Sequence, residues 1–353
     1  MELRFEKAEK LKEKPDMNNL GFGQYFTDYM FVMDYKEGKG WYDPRIVPYG
    51  PIEMDPSCMV LHYGQTVFEG LKAYKGENGE ILLFRPEKNM ARLNISNERM
   101  CIPQFDEAFM VEAIRKLVKT EEDWIPSLPG TSLYIRPFII ATDSKLGVHP
   151  GTTYKFIIVL SPVGSYYPQG VKPVDIYVED VYCRAVKGGT GFAKTAANYA
   201  ASLKAQKVAE EKGYTQVLWL DAIEKKYVEE VGTMNVFFVI DNEVITPELN
   251  GSILAGITRM SAIELLKDAG YRVSERKISI QEVYTAASEG RLNEAFGTGT
   301  AAVISPIGEF CWDGVKLPVN NGEIGPIAAK IYDTITGIQS GRIEDKYGWI
   351  TKA

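Results

Sequence analysis

Lys194 closes the run KGGTGFAK, in which Gly188, Gly189 and Gly191 thin the main chain, and it is followed by the small residues Thr195, Ala196 and Ala197. A lysine in that setting suits carbonyl chemistry: a desolvated amine is the usual partner for a Schiff base, and glycines let another molecule lie close to the backbone. Taken alone, the same letters also describe a glycine-rich loop carrying a solvated charge, so their meaning depends on what accompanies them. Two other stretches offer unencumbered amides. Gly256-Ile257-Thr258 opens a helical pattern whose apolar positions include Met260, Ile263, Leu265 and Leu266, and Gly297-Thr298-Gly299-Thr300-Ala301 precedes a strand-like run from Ala302 to Ser305. A helix start with open N–H groups is a ready anion site, whereas either stretch by itself is ordinary turn chemistry. Glu230, in YVEEVGTMN, supplies an acid where a strand ends against Gly232.

Other chemistries are short of residues. The chain has two histidines, His62 and His149, which leaves no multi-histidine metal site. Its four cysteines are scattered without a CxxC pair, and reduced buried thiols fit them better than disulfides or zinc. We therefore expect no metal, and proton transfer by lysine, tyrosine or a carboxylate. A formal charge of −7 argues against a phosphate backbone as partner. The apolar runs are too short to span a bilayer and the N-terminus has no basic head with an apolar middle, so no membrane partner and a cytoplasmic location are expected.

The elements that must hold these residues can be read from periodicity. A length of 353 residues fits about two domains. Strands are expected at Tyr29 to Tyr35, with Phe31, Met33 and Tyr35 on one face, and in a hairpin of Leu71 to Lys75 with Glu80 to Phe84 about Asn78-Gly79. Pro86 opens a helix in which Met90 and Leu93 share a face and Arg92 projects elsewhere, where a lone arginine is ordinarily solvated. A broad apolar stripe from Asp106 onward marks a core helix, and strands follow at Ser132 to Ile140, with Tyr134 and Arg136 on one face, and at Tyr154 to Leu160. SPVGSYYPQGVKP, dense in proline and glycine, separates residues 1–162 from residues 176–353 by a loop at 163–175. Beyond it come strands at Val174 to Val181, Gln216 to Leu220, Tyr227 to Glu230 and Val236 to Ile240, and a helix from Asn198 to Lys212 that Gly213 can cap.

An amine, an anion site and an acid together ask for a ligand with an aldehyde, a phosphate and a ring nitrogen, and pyridoxal 5′-phosphate is the common molecule with all three. In KGGTGFAKTAANY, EVGTMN, LHYGQTVFEGLKAY and LYIRP the chain resembles the branched-chain aminotransferases of the class IV, fold-type IV family of pyridoxal-phosphate enzymes, from Gly21 nearly to the C-terminus. The resemblance implies a two-domain α/β fold of the α+β type, with a smaller N-terminal domain and a larger C-terminal, cofactor-binding domain whose strand-rich core is flanked by helices. It implies reversible transfer of the amino group between L-leucine, L-isoleucine or L-valine and 2-oxoglutarate, in synthesis or breakdown of those amino acids.

It also implies roles. Lys194 would form the Schiff base and carry the proton between Cα and C4′. Tyr199 would bond the phenolic oxygen and Glu230 the pyridinium nitrogen, while Arg92, Ile257, Thr258 and Thr300 would bind the phosphate. Phe22, Tyr63, Phe68, Tyr134, Tyr166 and Thr233 would line the substrate pocket, Ala301 would lie in the turn receiving the α-carboxylate, and Arg136 would engage the distal carboxylate of glutamate. Leu146 and Val148 would be lent to the neighbouring subunit, making a homodimer necessary. The mammalian relatives carry a CxxC pair where this chain has Ala302 and Ser305, so no thiol switch is expected there. A D-amino-acid aminotransferase or an aminodeoxychorismate lyase would share the lysine and glutamate. A phosphotransferase reading of GGTG would need carboxylates for magnesium near the loop, and none lies in Ala185 to Tyr199. A catalytically silent binding protein is the remaining alternative.

Overall fold

The computed structural model describes residues 1–167 and 170–353. In chain order the strands are β1 (Arg4–Phe5), β2 (Tyr29–Lys36), β3 (Gly40–Pro48), β4 (Thr66–Phe68), β5 (Leu71–Lys75), β6 (Ile81–Phe84), β7 (Ser132–Ala141) and β8 (Thr153–Val163). They continue with β9 (Val174–Glu179), β10 (Gln216–Leu220), β11 (Val228–Val231), β12 (Asn235–Ile240), β13 (Glu243–Thr246), β14 (Arg272–Glu275), β15 (Leu292–Gly299), β16 (Val303–Trp312), β17 (Val315–Pro318) and β18 (Ile350–Lys352). The α-helices are α1 (Met59–Tyr63), α2 (Pro86–Arg99), α3 (Glu107–Thr120), α4 (Ala196–Glu211), α5 (Ile257–Asp268), α6 (Ile280–Ser288) and α7 (Pro326–Gln339). Two compact units result, each with one mixed sheet: Met1–Pro168 with Ala193–Ala196 and Gly337–Ala353, and Gln169–Phe192 with Ala197–Thr336.

In the first unit the strand order is β1-β3-β2-β8-β7-β5-β6-β18, with β4 on β7. The long central strands β7 and β8 pair antiparallel from Ser132↔Val163 to Ala141↔Tyr154. One face is a continuous core in which Phe31, Met33, Ile135, Ile139 and Phe156 meet Met90, Leu93, Met110, Ile114 and Leu117 of α2 and α3. Both helices start as their sequences predict: Pro86 occupies the first turn of α2, and the Asp106 side chain accepts the Phe109 amide at the start of α3. Alternation leaves Tyr134, Arg136 and Phe138 on the opposite face of β7, half-buried. The hairpin at residues 76–80 differs slightly from expectation. Gly79 alone takes a positive φ, and Gly76 N–H donates to Glu80 O at 2.8 Å to close a longer loop than a two-residue turn.

The second unit has the order β11-β10-β9-β16-β15-β12-β13-β14, with β17 on β16. Every residue of β11 and β12 is buried, as a strand covered on both faces requires, and Phe237 stacks on Phe296 with centroids 5.2 Å apart. Helix α4 buries Ala205 and Ala209 against Val217 and Trp219 and ends before Gly213, whose φ is +88°.

Neither compact unit is a single continuous stretch of the chain. β18 completes the first sheet through Ile350↔Phe84, Thr351↔Leu83 and Lys352↔Leu82, so the last residues of the chain fold with the N-terminal unit, as do Ala193–Ala196. Among the described residues no helix is long and apolar enough to cross a membrane.

Candidate active site

Lys194 belongs to the first unit and is held there by its backbone on both sides. Its N–H donates to Ser96 Oγ of α2 at 2.9 Å, and its carbonyl accepts the Phe68 amide of β4 at 3.0 Å. The next residue, Thr195, is fully buried, bridges Val67 in strand fashion and donates its hydroxyl to Thr66 O at 2.7 Å. Strand and helix thus fix the main chain at Lys194, and the side chain is half-buried with Nζ 4.8 Å from the centroid of the Phe68 ring.

Beside it lies a buried ion pair. The Arg92 guanidinium meets Glu69 at two points, Nε to Oε1 at 2.7 Å and Nη2 to Oε2 at 2.8 Å, and Asn89 Nδ2 donates to Oε2 at 2.8 Å. Glu69 has no solvent exposure and Arg92 is buried, so the helix arginine that composition alone would leave in water is inside. Burial pushes the Glu69 carboxyl up. The charge and hydrogen bonds of Arg92, the Lys194 charge and the Asn89 donor outweigh it, and the carboxyl is held below its ordinary range. The sequence shows Glu69 crowded with His62, Tyr63, Gln65 and Phe68 in LHYGQTVFEGLKAY but gives it no role, because its partners become neighbours only when α2 packs on the strands.

On the polar face of the same sheet, Arg136 Nη2 donates to Tyr134 Oη at 3.0 Å and lies over the Phe68 ring at 4.8 Å, and Phe22 meets Tyr134 edge-on at 5.0 Å. Gly70 makes room for this cluster, since a Cβ there would stand 2.1 Å from Tyr134 Oη. Lys72, opposite Tyr134 on β5, is buried, and burial lowers its ammonium to about 8. Tyr63 Oη accepts the Gly147 amide at 2.8 Å, in the loop that leaves Leu146 and Val148 exposed. Tyr166 stacks edge-on with Tyr167 at 4.9 Å.

In the second unit Glu230 is buried and well bound. It forms an ion pair with Arg184 Nε at 3.0 Å and accepts the Leu254 amide at 2.8 Å and Asn235 Nδ2 at 3.5 Å. Arg184, absent from the residues expected, also donates to Gly191 O at 3.1 Å and to Ser252 O, so one guanidinium ties the glycine loop to the acid. Gly191 is forced by this packing: a Cβ would sit 2.2 Å from Ser252 O. Thr190 and Asn198 clasp each other at 2.7 and 2.9 Å, which places the half-buried Tyr199 on the first turns of α4. The neighbouring acid Glu229 bonds Ser252 Oγ, and burial pushes its carboxyl up.

Helix α5 begins at Ile257 after Gly256, and no side chain caps its first amides, although Ile257 and Thr258 are buried. The glycine is again required, a Cβ lying 2.0 Å from Asn235 Oδ1. Of the stretch Gly297 to Ala301, only Thr300 and Ala301 lie in the turn, with Ala302; Gly297, Thr298 and Gly299 complete β15. The buried hydroxyl of Thr298 has no partner among the described residues, and Val303 just after the turn is held at φ +64°, a strained conformation for a β-branched residue. Thr233 is exposed in the tight turn that Met234 N–H closes on Val231 O at 2.9 Å, and Ala301 is half-buried. Buried, uncapped amides and an unpartnered hydroxyl fit an oxyanion such as a phosphate, and a buried glutamate held by a cation fits a basic ring nitrogen. Among the described residues no group of histidine, cysteine and carboxylate side chains could hold a metal ion.

Comparison with known proteins places these residues in context. Residues 66–310 match the family model described as amino-transferase class IV. The chain is 65% identical over 350 residues to branched-chain-amino-acid aminotransferase 2 of Bacillus subtilis, covering 99% of this chain and 96% of that one. Among solved structures it is similar to the branched-chain amino acid aminotransferase of Escherichia coli, at TM-score 0.77 and 30% identity over 92% of this chain and 98% of the other. It is also similar to the branched-chain amino acid aminotransferase of Thermobaculum terrenum in its PLP form, at TM-score 0.77 and 26% identity, over 92% and 98%. With its lysine pinned at the backbone by a strand and a helix, its buried glutamate and its uncapped helix start, the chain belongs to the class IV amino-transferase family, on the branched-chain-amino-acid branch.

Proposed function

We propose that this chain is a branched-chain amino acid aminotransferase that moves the amino group reversibly between L-leucine, L-isoleucine or L-valine and 2-oxoglutarate, with pyridoxal 5′-phosphate as cofactor. The observation that carries the reading is identity of 65% across 99% of the chain, and the presence of Lys194, Tyr199 and Glu230 in the sequence supports it. When bound, the cofactor supplies an aldehyde that exchanges amino groups and a ring that accepts an electron pair.

The residues divide the work. Lys194 would hold the cofactor's aldehyde through its amine and would move the proton at the substrate Cα. Glu230 keeps a proton on the ring nitrogen, and its ion pair with Arg184 supports a carboxylate rather than a carboxylic acid at that place. Tyr199 bonds the phenolic oxygen. Arg92, the amides of Ile257 and Thr258, and Thr300 bind the phosphate. Phe22, Tyr63, Phe68, Tyr134, Tyr166 and Thr233 line the pocket for branched chains, and Ala301 lies in the turn for the α-carboxylate. Arg136 pairs with the distal carboxylate of glutamate; its buried Nε, unpartnered among the described residues, supports that role. Leu146 and Val148 serve the pocket of a second copy in a homodimer, and the enzyme works in the cytoplasm. The 1–162 and 176–353 stretches, joined at 163–175, act as small and large functional domains.

The test is an absorption spectrum of the purified chain, followed by L-glutamate and then 4-methyl-2-oxopentanoate on the same sample. The visible band of the bound cofactor shifts to that of the amine form with glutamate and returns with the oxo acid, and Lys194→Ala shows neither the band nor turnover. A chain that stays colourless after incubation with pyridoxal phosphate overturns the reading.

A further inference from the structure

We propose that Glu69 is a positioning residue for phosphate binding: its carboxylate sets the guanidinium plane of Arg92 and, through β4, locks that plane to the backbone at Lys194. The proposal rests on the reading of Arg92 as a phosphate ligand. Arginine has five N–H donors in a rigid fork, so a two-point contact through Nε and Nη2 removes rotation about the last side-chain bonds and decides where the other donors point. That contact is made at 2.7 and 2.8 Å to a carboxylate with no solvent exposure.

The carboxylate is itself immobile. Asn89 Nδ2 donates to Oε2 at 2.8 Å and the Gly70 amide at 3.2 Å, while Glu69 N–H is tied to Pro137 O at 2.8 Å. The preceding residue, Phe68, donates its amide to Lys194 O at 3.0 Å. Two adjacent residues therefore hold the arginine on one side and the lysine on the other. A buried pair of this kind gains little over an apolar pair as a source of stability, because both charges must be stripped of water. Orientation is what it adds, since an arginine locked before the ligand arrives loses less freedom on binding.

The test compares pyridoxamine 5′-phosphate with pyridoxamine as ligands of the full-length chain freed of cofactor. Neither compound carries an aldehyde, so the ratio of the two dissociation constants reads the phosphate contribution without lysine chemistry. Glu69→Gln keeps the volume but turns an amide NH2 toward donors of Arg92 and Asn89. It is expected to lower the phosphate preference by about tenfold with pyridoxamine affinity unchanged, the size of one lost charge-assisted contact. Arg92→Gln lowers the ratio at least as far, and the double variant falls no further than Arg92→Gln alone. Glu69→Asp keeps the charge on a shorter arm and gives an intermediate loss, which can be read even where Glu69→Gln fails to fold.

A drop in Arg92→Gln with Glu69→Gln and Glu69→Asp at the wild-type ratio overturns the proposal, as does a double variant that adds both decrements in full. Equal loss for both ligands also overturns it, by making Glu69 a residue of general stability. A wild-type ratio near one, or one unchanged by Arg92→Gln, removes the phosphate reading beneath it as well.

Discussion

A carboxylate and an amide differ at position 230 in charge and scarcely in volume. Glu230→Gln can still accept the Leu254 amide, but it gives up the ion pair at 3.0 Å with Arg184 and cannot hold a proton on a ring nitrogen. We expect the turnover number to fall by roughly 100-fold or more while the chain still takes up cofactor, since the lost interaction matters most as charge develops in the transition state. Steady-state kinetics with cofactor content measured in the same preparation decide it; a turnover number within about threefold of wild type would remove Glu230 from its role. Lys194 and Glu230 were legible in the sequence because their local settings, a glycine run and a strand end, are themselves unusual. Glu69 and Arg184 were not, because each matters through a partner distant in sequence, and only packing brings an acid of β4-β5 against α2 or an arginine of the loop against β11. The glycines also have a packing reason of their own. Gly191 is demanded by the protein's own Ser252 carbonyl and Gly256 by Asn235.

That packing makes a prediction about an element, the glycine loop before α4. In Gly191→Ala the new Cβ would meet Ser252 O at 2.2 Å and Ser252 C at 2.6 Å, both backbone atoms that cannot rotate away. The loop must shift, and with it the Gly191 carbonyl that Arg184 holds. A loss of about 1–3 kcal/mol is expected from overpacking, measured as a lower midpoint in chemical denaturation, and an unchanged midpoint would contradict the structure at this loop. Elements such as β2, α2 and α3 were read to within a few residues, because alternation and helical stripes are strong signals over lengths of 8 to 14 residues, whereas α6, α7 and the part of β16 beyond Ser305 were not read. Less legible was the end of α3, where Glu121 turns inward. Its carboxylate accepts the Tyr29 amide beside Asp28, itself bound by Trp124 Nε1 at 2.8 Å, and burial, with the Asp28 charge adding to it, pushes its carboxyl up to about 7. A carboxyl whose pKa is higher folded than unfolded contributes stability that is complete below about 4.3, the unfolded value, and is lost as pH rises through about 7. The melting temperature of wild type should therefore fall between pH 5.5 and pH 8 by more than that of Glu121→Gln, whose amide can face Asp28 as a donor; equal falls in the two would show that Glu121 does not titrate in this window.

For the whole molecule, the first compact unit takes in Ala193–Ala196 and Gly337–Ala353 as well as the N-terminal stretch, and nothing in the sequence announces this return of the chain to the first sheet. Ile350–Lys352 is too short to show a period, and its pairing with β6 is a contact between segments far apart in sequence, stabilised by the Trp349 carbonyl accepting the Arg85 amide at 2.8 Å. Assembly is the next level, and the exposed loop at 145–150 speaks to it. Leu146 and Val148 are 65% and 84% exposed, yet the loop between them is fastened: Gly147 N–H donates to Tyr63 Oη at 2.8 Å, and His149 Nδ1 lies 2.7 Å from Gly147 O. Two apolar side chains held outward on a fastened loop gain nothing within one chain. They gain by burial against another, at about 25 cal/mol for each Å² of apolar surface removed from water. If that other is a second copy of this chain, aspartates at both positions place two charges in a desolvated interface, a penalty that no partner in the loop offsets. Leu146→Asp combined with Val148→Asp should then shift sedimentation from dimer toward monomer and cut turnover, with far-UV circular dichroism unchanged because the loop carries no core residue. A variant that stays dimeric and fully active would leave the loop without a role in the neighbouring pocket, and would mean that the active site is completed by one chain alone.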